Sequence, residues 1–363
     1  MLSDDELDDL QARFDTELRL WQTICNDLGD LGDQQHRGMV RERVEEWGRI
    51  LAAAGRIPPG GSWWVQPRIG TYNLHDYTAA EARSDRRAEQ RALMRDQNVD
   101  IWCLQEILHP TRDLDDPELA ELFAELCDEL GMEGRLAWAR SGCHTAVLWK
   151  PSYRLTRWRD FSHWPWHHTA GCATLDIGGR QDLHVVSAHF SPFSADQRAH
   201  EAQLLGAIVP SPTEWMIAGC DLNSPSVNAP EPYADQTARH GHEVRHQLHQ
   251  RVHSEMWPAT SEEAPVDRRA AQILDRHGLL DPIDTFVDHP HPVTSGHHPA
   301  DPHGPRRPDC LRVTHTLLPG GGRDVVDHPH AEWFDHLPLL GSIVVPWRPP
   351  APRSRATEVT SEQ

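Results

Sequence analysis

The sequence predicts an α+β protein: a helical hairpin followed by a larger body of alternating strands and helices. Three observations carry this. Apolar residues recur at helical spacing through the first fifty or so positions. From Arg68 the pattern changes to short apolar runs separated by loops and amphipathic segments. With 363 residues, the chain is long enough for one large core and an appendage.

Residues 3–28 form the first predicted helix: Ser3 and Glu6 make a capping box, and Leu7, Leu10, Phe14, Leu18, Trp21 and Leu28 follow at helical intervals. A Gly-Asp-Leu-Gly break precedes a second helix, marked by Val40, Val44, Trp47 and Leu51 and ending near Ala54. This hairpin (residues 1–57) either packs on the main body or docks a protein partner. Gly and Pro in RIPPGGSWWVQP make a linker, bounded at 58–65. The main domain, 66–347, holds the predicted strands RIGTYNL, DIWCLQE, TAVLWK, LHVVSAHF, EWMIAGCDLN, DCLRVTHTL and GSIVV. Helices are expected at 79–97, 117–130, 195–208, 240–256 and 265–277, and the Pro- and Arg-rich tail 348–363 is expected to be disordered.

Composition narrows the function. A formal charge of −20 opposes tight nonspecific binding to nucleic acid or anionic lipid, although a bound divalent cation supplies positive charge locally. The seven cysteines are scattered singly with no Cys-x-x-Cys, so neither a disulfide framework nor a zinc ribbon is indicated. The acidic start lacks the layout of a signal peptide, and no apolar run reaches membrane-spanning length, so a cytoplasmic protein without an integral membrane segment is expected.

Chemistry gathers at strand ends. WMIAGCDLNS finishes an apolar run with Asp221 and Asn223, which alternation would project from one face; Asp, Asn, Ser and Pro are also turn formers. RIGTYNL presents Asn73, DIWCLQE ends in Gln105 and Glu106, and LHVVSAHF presents His189. Asp309 opens a strand, and Asp335 and His336 precede the last one. Acids, amides and imidazoles at these separate termini supply the parts of a metal-assisted hydrolysis site.

The ordered series TYNL, LQE, SAHF, GCDLNS, PDCL and FDHLP resembles the endonuclease/exonuclease/phosphatase superfamily, the deoxyribonuclease-I-like hydrolases, over roughly residues 66–347. The resemblance implies a four-layer α/β/β/α sandwich of two mixed β-sheets with the site at one edge. It also implies that Glu106 and Asp335 hold Mg²⁺ or Mn²⁺, which favour hard oxygen ligands. Asp221 would orient or deprotonate the attacking water, with Asn73 and Asn223 positioning it and the phosphate. His189 would donate to a nonbridging phosphate oxygen, and His336, oriented by Asp309, would face the scissile phosphate. Three departures stand out: Phe334 where the family has a small residue or serine, Cys220 where it has glycine, and His75 where some nucleases have an acid.

The implied function is a phosphodiesterase or nuclease acting on a phosphoester substrate, nucleic acid included. A phosphoinositide or small-molecule phosphatase, a sphingomyelinase-like phospholipase and a silent binding scaffold are the alternatives. Arg198 either contacts phosphate or caps and solvates its helix. The rings of RDFSHWPWHHTAG either cover the core or stack on bases or lipid. His242, His246, His249 and His253 share a helix face that binds metal or is merely solvated, and the His-rich segment 289–303 is a Pro-rich loop.

Overall fold

A computed structural model describes residues 2–26, 34–54, 64–78, 84–108, 116–179, 181–208, 211, 213–228, 266–283, 292–297, 306–314, 316–319, 324–326 and 334–346. The expected helix at 240–256 with its four histidines, most of 289–303, and the tail lie outside the described residues.

Two helices open the chain, α1 (Asp4–Asn26) and α2 (Gln34–Ala53). The capping box forms: Ser3 N–H and Oγ–H donate to Glu6 Oε2 at 2.7 and 2.8 Å, and Glu6 N–H donates back to Ser3 Oγ at 3.3 Å. Phe14, Val44 and Leu51 are buried, and Arg43 pairs with Glu17 at 3.0 Å across the two helices. The first helix also touches β12 (Leu318–Pro319).

The body contains two mixed sheets. The first runs β1 (Trp64–Val65), β14 (Leu339–Pro346), β2 (Arg68–Tyr77), β3 (Ile101–Leu108), β5 (Cys143–Trp149), β4 (Glu133–Ala137), with β12 and β13 (Asp324–Val325) also paired to β14. The second runs β10 (Leu279–Leu280), β11 (Asp309–Thr314), β9 (Trp215–Asp221), β8 (Leu183–His189), β7 (Thr169–Asp176), β6 (Arg154–Asp160). Period-2 alternation divides the apolar side chains among three cores. Ile69, Cys103, Val147, Val185, Ile217 and Leu339 pack between the sheets. Trp102, Leu104 and Leu148 pack outward with Leu93 of α3 (Asp85–Asp96) and Leu122 of α4 (Pro117–Leu130). On the other side Val186, Met216 and Cys220 meet Leu205 of α5 (Ala195–Ile208) and Leu274 of α6 (Arg269–Arg276). The fold is the expected four-layer α/β/β/α sandwich.

Seven of the described strands have no counterpart among the sequence expectations: four of two residues each (β1, β10, β12 and β13) and three longer ones, β4, β6 and β7. β4 and β6 are edge strands, and the exposed, Arg-rich RLTRWRD breaks apolar alternation as edge strands do. β7, TAGCATLD, is built from small residues, and Gly171 lies where a Cβ would press on Ala137 and Trp158. Trp64 and Val65, expected to end a linker, pair with Pro346 and Val345; two residues are too few to show periodicity. No helix among the described residues is long and apolar enough to cross a membrane.

Topology brings the strand ends together. Parallel pairing of β2 with β3 and of β8 with β9 sends four C-termini to one edge. β11, antiparallel to β9, starts with Asp309 opposite Asp221. β14, antiparallel to β2, pairs Leu339 with Thr71, so residues 335–336 enter beside the end of β2.

Gly70 faces the helix-covered side, where an added Cβ would fall on the Trp102 ring. Gly70→Ala is expected to destabilise the fold by about 1–3 kcal/mol, read as a lower urea midpoint at unchanged m-value.

Candidate active site

Asn73 follows Ile69 and Thr71 in the alternation of β2 and faces the opposite sheet. Beyond it the strand bulges: the register shifts between Asn73 and Tyr77, with His75 and Asp76 at φ 50° and 53°. Such left-handed residues are strained and need external support. Arg87, buried on α3, donates to the carbonyls of Leu74, His75 (2.7 Å) and Asp76 (2.6 Å), while Asn73 Oδ1 accepts from His75 N–H at 2.9 Å. A second bulge in β3 puts Glu106 at φ 59°. Strict alternation would send Glu106 outward with Trp102 and Leu104; the bulge turns it to the site edge. There Asn73 Nδ2 donates to Glu106 Oε1 and to Asp221 Oδ2, both at 2.9 Å, and Asp76 N–H donates to Glu106 Oε2 at 3.0 Å.

Asp221 ends β9, so Asn223 does not share its strand face as alternation suggested. Asn223 sits at φ 48° and donates its N–H to Asp221 Oδ1 at 2.8 Å, an Asx turn. Its side chain then reaches Phe190 O (3.1 Å) and His189 Nε2 (3.3 Å). The same turn stops the strand and builds the site, since Asp221 keeps Oδ2 for Asn73. Cys220 points into the helix-covered core, away from these groups, as alternation requires.

His336 Nδ1 meets Asp309 Oδ2 at 2.7 Å, and its Nε2 lies 3.9 Å from Asp221 Oδ2 and 3.6 Å from Asp335 Oδ2. Burial alone would depress the imidazole pKa, but Asp309, Asp221 and Asp335 outweigh it and raise it to about 10. Burial opposes ionisation of Asp221 as well, yet His336, His189 and the amide donors hold its pKa below the ordinary value. Asp335 is also held low: against burial stand the His75 hydrogen bond (3.1 Å from Nδ1) and His336. Phe334 beside it is buried at 2% exposure.

His189 Nε2 stands 3.6 Å from Asp221 Oδ2 and 3.8 Å from Glu106 Oε1. Behind it lie residues that sequence reasoning did not single out. His168 stacks on the His189 ring, with centroids 4.1 Å apart. Glu201, fully buried, accepts from His167 N–H (2.7 Å) and Ser191 N–H (2.8 Å), tying the segment before β7 to the segment after β8. Arg198 neither solvates its helix nor opens onto the site: it is 1% exposed and donates to Ser191 O at 3.1 Å. In the aromatic loop Phe161 and Trp166 are buried and Trp164 packs against the same core, so these rings cover the sandwich.

All eight sequence-predicted residues therefore meet at one edge. Among the described residues, the groups of ligand atoms within 4.8 Å of one another are Glu106–His189–Asp221 and Asp221–Asp309–His336; Asp335 stands outside both and pairs with His75. Two carboxylates converging on one amide, with a third and fourth nearby, form a hard-oxygen donor set that suits a small divalent cation.

The loop after Asn223 is anchored by a buried triad. Arg307 Nη1 donates to Asp281 Oδ2 at 2.9 Å and its Nη2 to Ser226 Oγ, which donates to Asp281 Oδ2 at 2.7 Å. Burial pushes the Asp281 pKa up, but Arg307 and Arg312 prevail and lower it from the ordinary 3.8 to about 2. Because the folded pKa is depressed, this stabilisation is complete above the ordinary carboxylate range and is lost as pH falls toward 2. Measured by urea unfolding, the stability advantage of wild type over Asp281→Asn is expected to shrink by about 2 kcal/mol across that window.

The model of the Endonuclease/Exonuclease/phosphatase family matches residues 70–356. Solved structures share the fold. The endonuclease/exonuclease/phosphatase from Bacteroides vulgatus aligns at TM-score 0.52 and 15% identity, covering 77% of this chain and 99% of that one. The Beutenbergia cavernae endonuclease/exonuclease/phosphatase gives 0.51 and 17%, covering 79% and 73%. D. rerio TDP2 with a single-strand DNA product gives 0.51 and 10%, covering 77% and 98%. A search of curated proteins returned no match.

Proposed function

The chain belongs to the endonuclease/exonuclease/phosphatase family, and on that premise we propose that it is a divalent-metal-dependent phosphoric-ester hydrolase, a phosphodiesterase or nuclease in which water attacks phosphorus in line. The observation that carries this reading is the meeting of Asn73 and Glu106 from one sheet with His189, Asp221 and Asn223 from the other, beside the Asp309–His336 pair.

Each residue has a part that its surroundings suit. Asp221, ionised and buried, orients the attacking water and takes its proton. Asn73 and Asn223 fix that carboxylate. His336, kept protonated by Asp309, places a cation where negative charge grows on the phosphoryl oxygens. His189 hydrogen-bonds a nonbridging phosphate oxygen. Glu106 anchors Mg²⁺ or Mn²⁺; Asp221 shares its group of ligand atoms, and Asp335 is the second carboxylate implied by the family. The ion supplies Lewis-acid neutralisation of phosphoryl charge when bound.

Nucleic acid is the substrate class we favour, and the TDP2 complex with single-strand DNA is an instance of this fold accepting a strand. The net charge of −20 favours the second reading, a phosphatase for small or inositol phosphates, because it opposes unspecific capture of polyanions. The buried Trp166 and half-buried Trp164 lend no support to a lipid-inserting loop.

The test is hydrolysis of single- and double-stranded DNA, RNA, bis-p-nitrophenyl phosphate, p-nitrophenyl phosphate, inositol phosphates and sphingomyelin with Mg²⁺, Mn²⁺ or EDTA. EDTA is expected to abolish turnover, and Asp221→Ala to lower kcat by about 10²–10⁴-fold. Turnover that persists in EDTA, or in Asp221→Ala, contradicts the proposal.

A further inference from the structure

We propose that His168 is a positioning residue for His189, fixing the plane of its ring by face-to-face stacking. The claim rests on the hydrolase reading for its kinetic consequence, but its geometry stands apart from that reading.

A functional imidazole is ordinarily oriented by a hydrogen bond at its second nitrogen. His336 follows that rule, with Asp309 2.7 Å from Nδ1. His189 does not: its Nδ1 is buried and has no hydrogen-bond partner among the described residues. The polar contacts of the ring all fall at Nε2, with Asn223 Nδ2 at 3.3 Å and the Asp221 and Glu106 carboxylates farther off at 3.6 and 3.8 Å, and they leave rotation about that atom to be limited by packing. The His168 ring removes this freedom. The two planes lie 13° apart at a centroid distance of 4.1 Å, so a turn of His189 out of plane drives one ring edge into His168.

His168 is itself immobilised. It immediately precedes Thr169, the cross-strand partner of His189 on the β7–β8 ladder, so its backbone is tied to the strand end it serves. It is 7% exposed, its Nδ1 lies 2.8 Å from Ser141 Oγ, and it meets the His167 ring edge-on at 4.5 Å. Burial, with His189 and His167 as neighbours, pushes its pKa down, so the ring is neutral. Glu201 closes the assembly by holding the backbone of His167 and Ser191 on either side of the stack.

The experiment compares wild type, His168→Ala and His168→Phe, all checked for folding by urea titration. Hydrolysis of bis-p-nitrophenyl phosphate is measured together with the His189 imidazole signals in ¹⁵N-histidine-labelled protein. His168→Ala is expected to lower kcat by about tenfold or more, since small misplacements of a reacting group are amplified in the rate. KM should change little, because the contact forms with developing charge. The His189 signals should move. Phe restores a flat ring without the Ser141 hydrogen bond, so His168→Phe should regain most of the rate and the wild-type His189 signals. Unchanged kcat and His189 signals in the folded Ala variant overturn the proposal, as does a folded Phe variant no better than Ala. A wild type inactive on every phosphoester sinks the proposed function instead, and the imidazole signals then decide the claim for His168 alone.

Discussion

The site depends on how closely the two sheets approach at one edge of the sandwich. Gly219 on β9 faces β2 and β3, and a Cβ there would collide with Cys103 and stand 2.9 Å from Thr71 Cβ. Immediately above, Gln105 crosses from the first sheet to the second. Its Nε2 is 3.1 Å from Ser187 Oγ and 3.3 Å from Gly219 O, and Ser187 Oγ donates to Leu104 O at 2.8 Å. These polar groups are fully buried, and leaving one unpaired costs about 1–3 kcal/mol, so the bridge fixes spacing as well as register. At that spacing a single amide, Asn73 Nδ2, reaches a carboxylate of each sheet at 2.9 Å.

The close approach sets position, and backbone strain sets direction. Five described non-glycine residues have positive φ, and four of them (His75, Asp76, Glu106 and Asn223) belong to the site edge. At Asp76 and Glu106 the chain departs from the strand path where an ordinary alternation would point a polar group into the helix-covered apolar layer. Arg87 on three carbonyls, Asp221 on Asn223 N–H and Glu106 on Asp76 N–H hold these bends in place. The resulting charge distribution is uneven: His336 is a buried cation among Asp309, Asp221 and Asp335.

Much of this was legible in the sequence because the chemistry sits at strand ends, where apolar runs stop at an acid, amide or imidazole. Asn73, His189, Asp221 and Asp309 could be placed from the run alone. The capping box at Ser3 and Glu6 was legible for a similar local reason. Glu106 was legible as a residue but not as a direction, since nothing in LQE announces a bulge. His168, Glu201 and Gln105 act through partners distant in sequence, as with the 82 positions between Gln105 and Ser187. The strands β4, β6 and β7 escaped notice because edge exposure and small side chains erase the apolar alternation.

The most direct test of the central claim sets Gly219→Ala against Gly70→Ala. Both put a methyl group into a full layer, but only Gly219 faces the opposite sheet beneath the site, whereas Gly70 faces Trp102. Neither change touches a polar group of the site. With metal-dependent phosphoester hydrolysis as the assay, and conditions in which both variants are folded, Gly219→Ala should lose activity per folded molecule by about tenfold or more. Gly70→Ala should retain it. Equal activity in the two folded variants would contradict the view that the approach of the sheets builds the site.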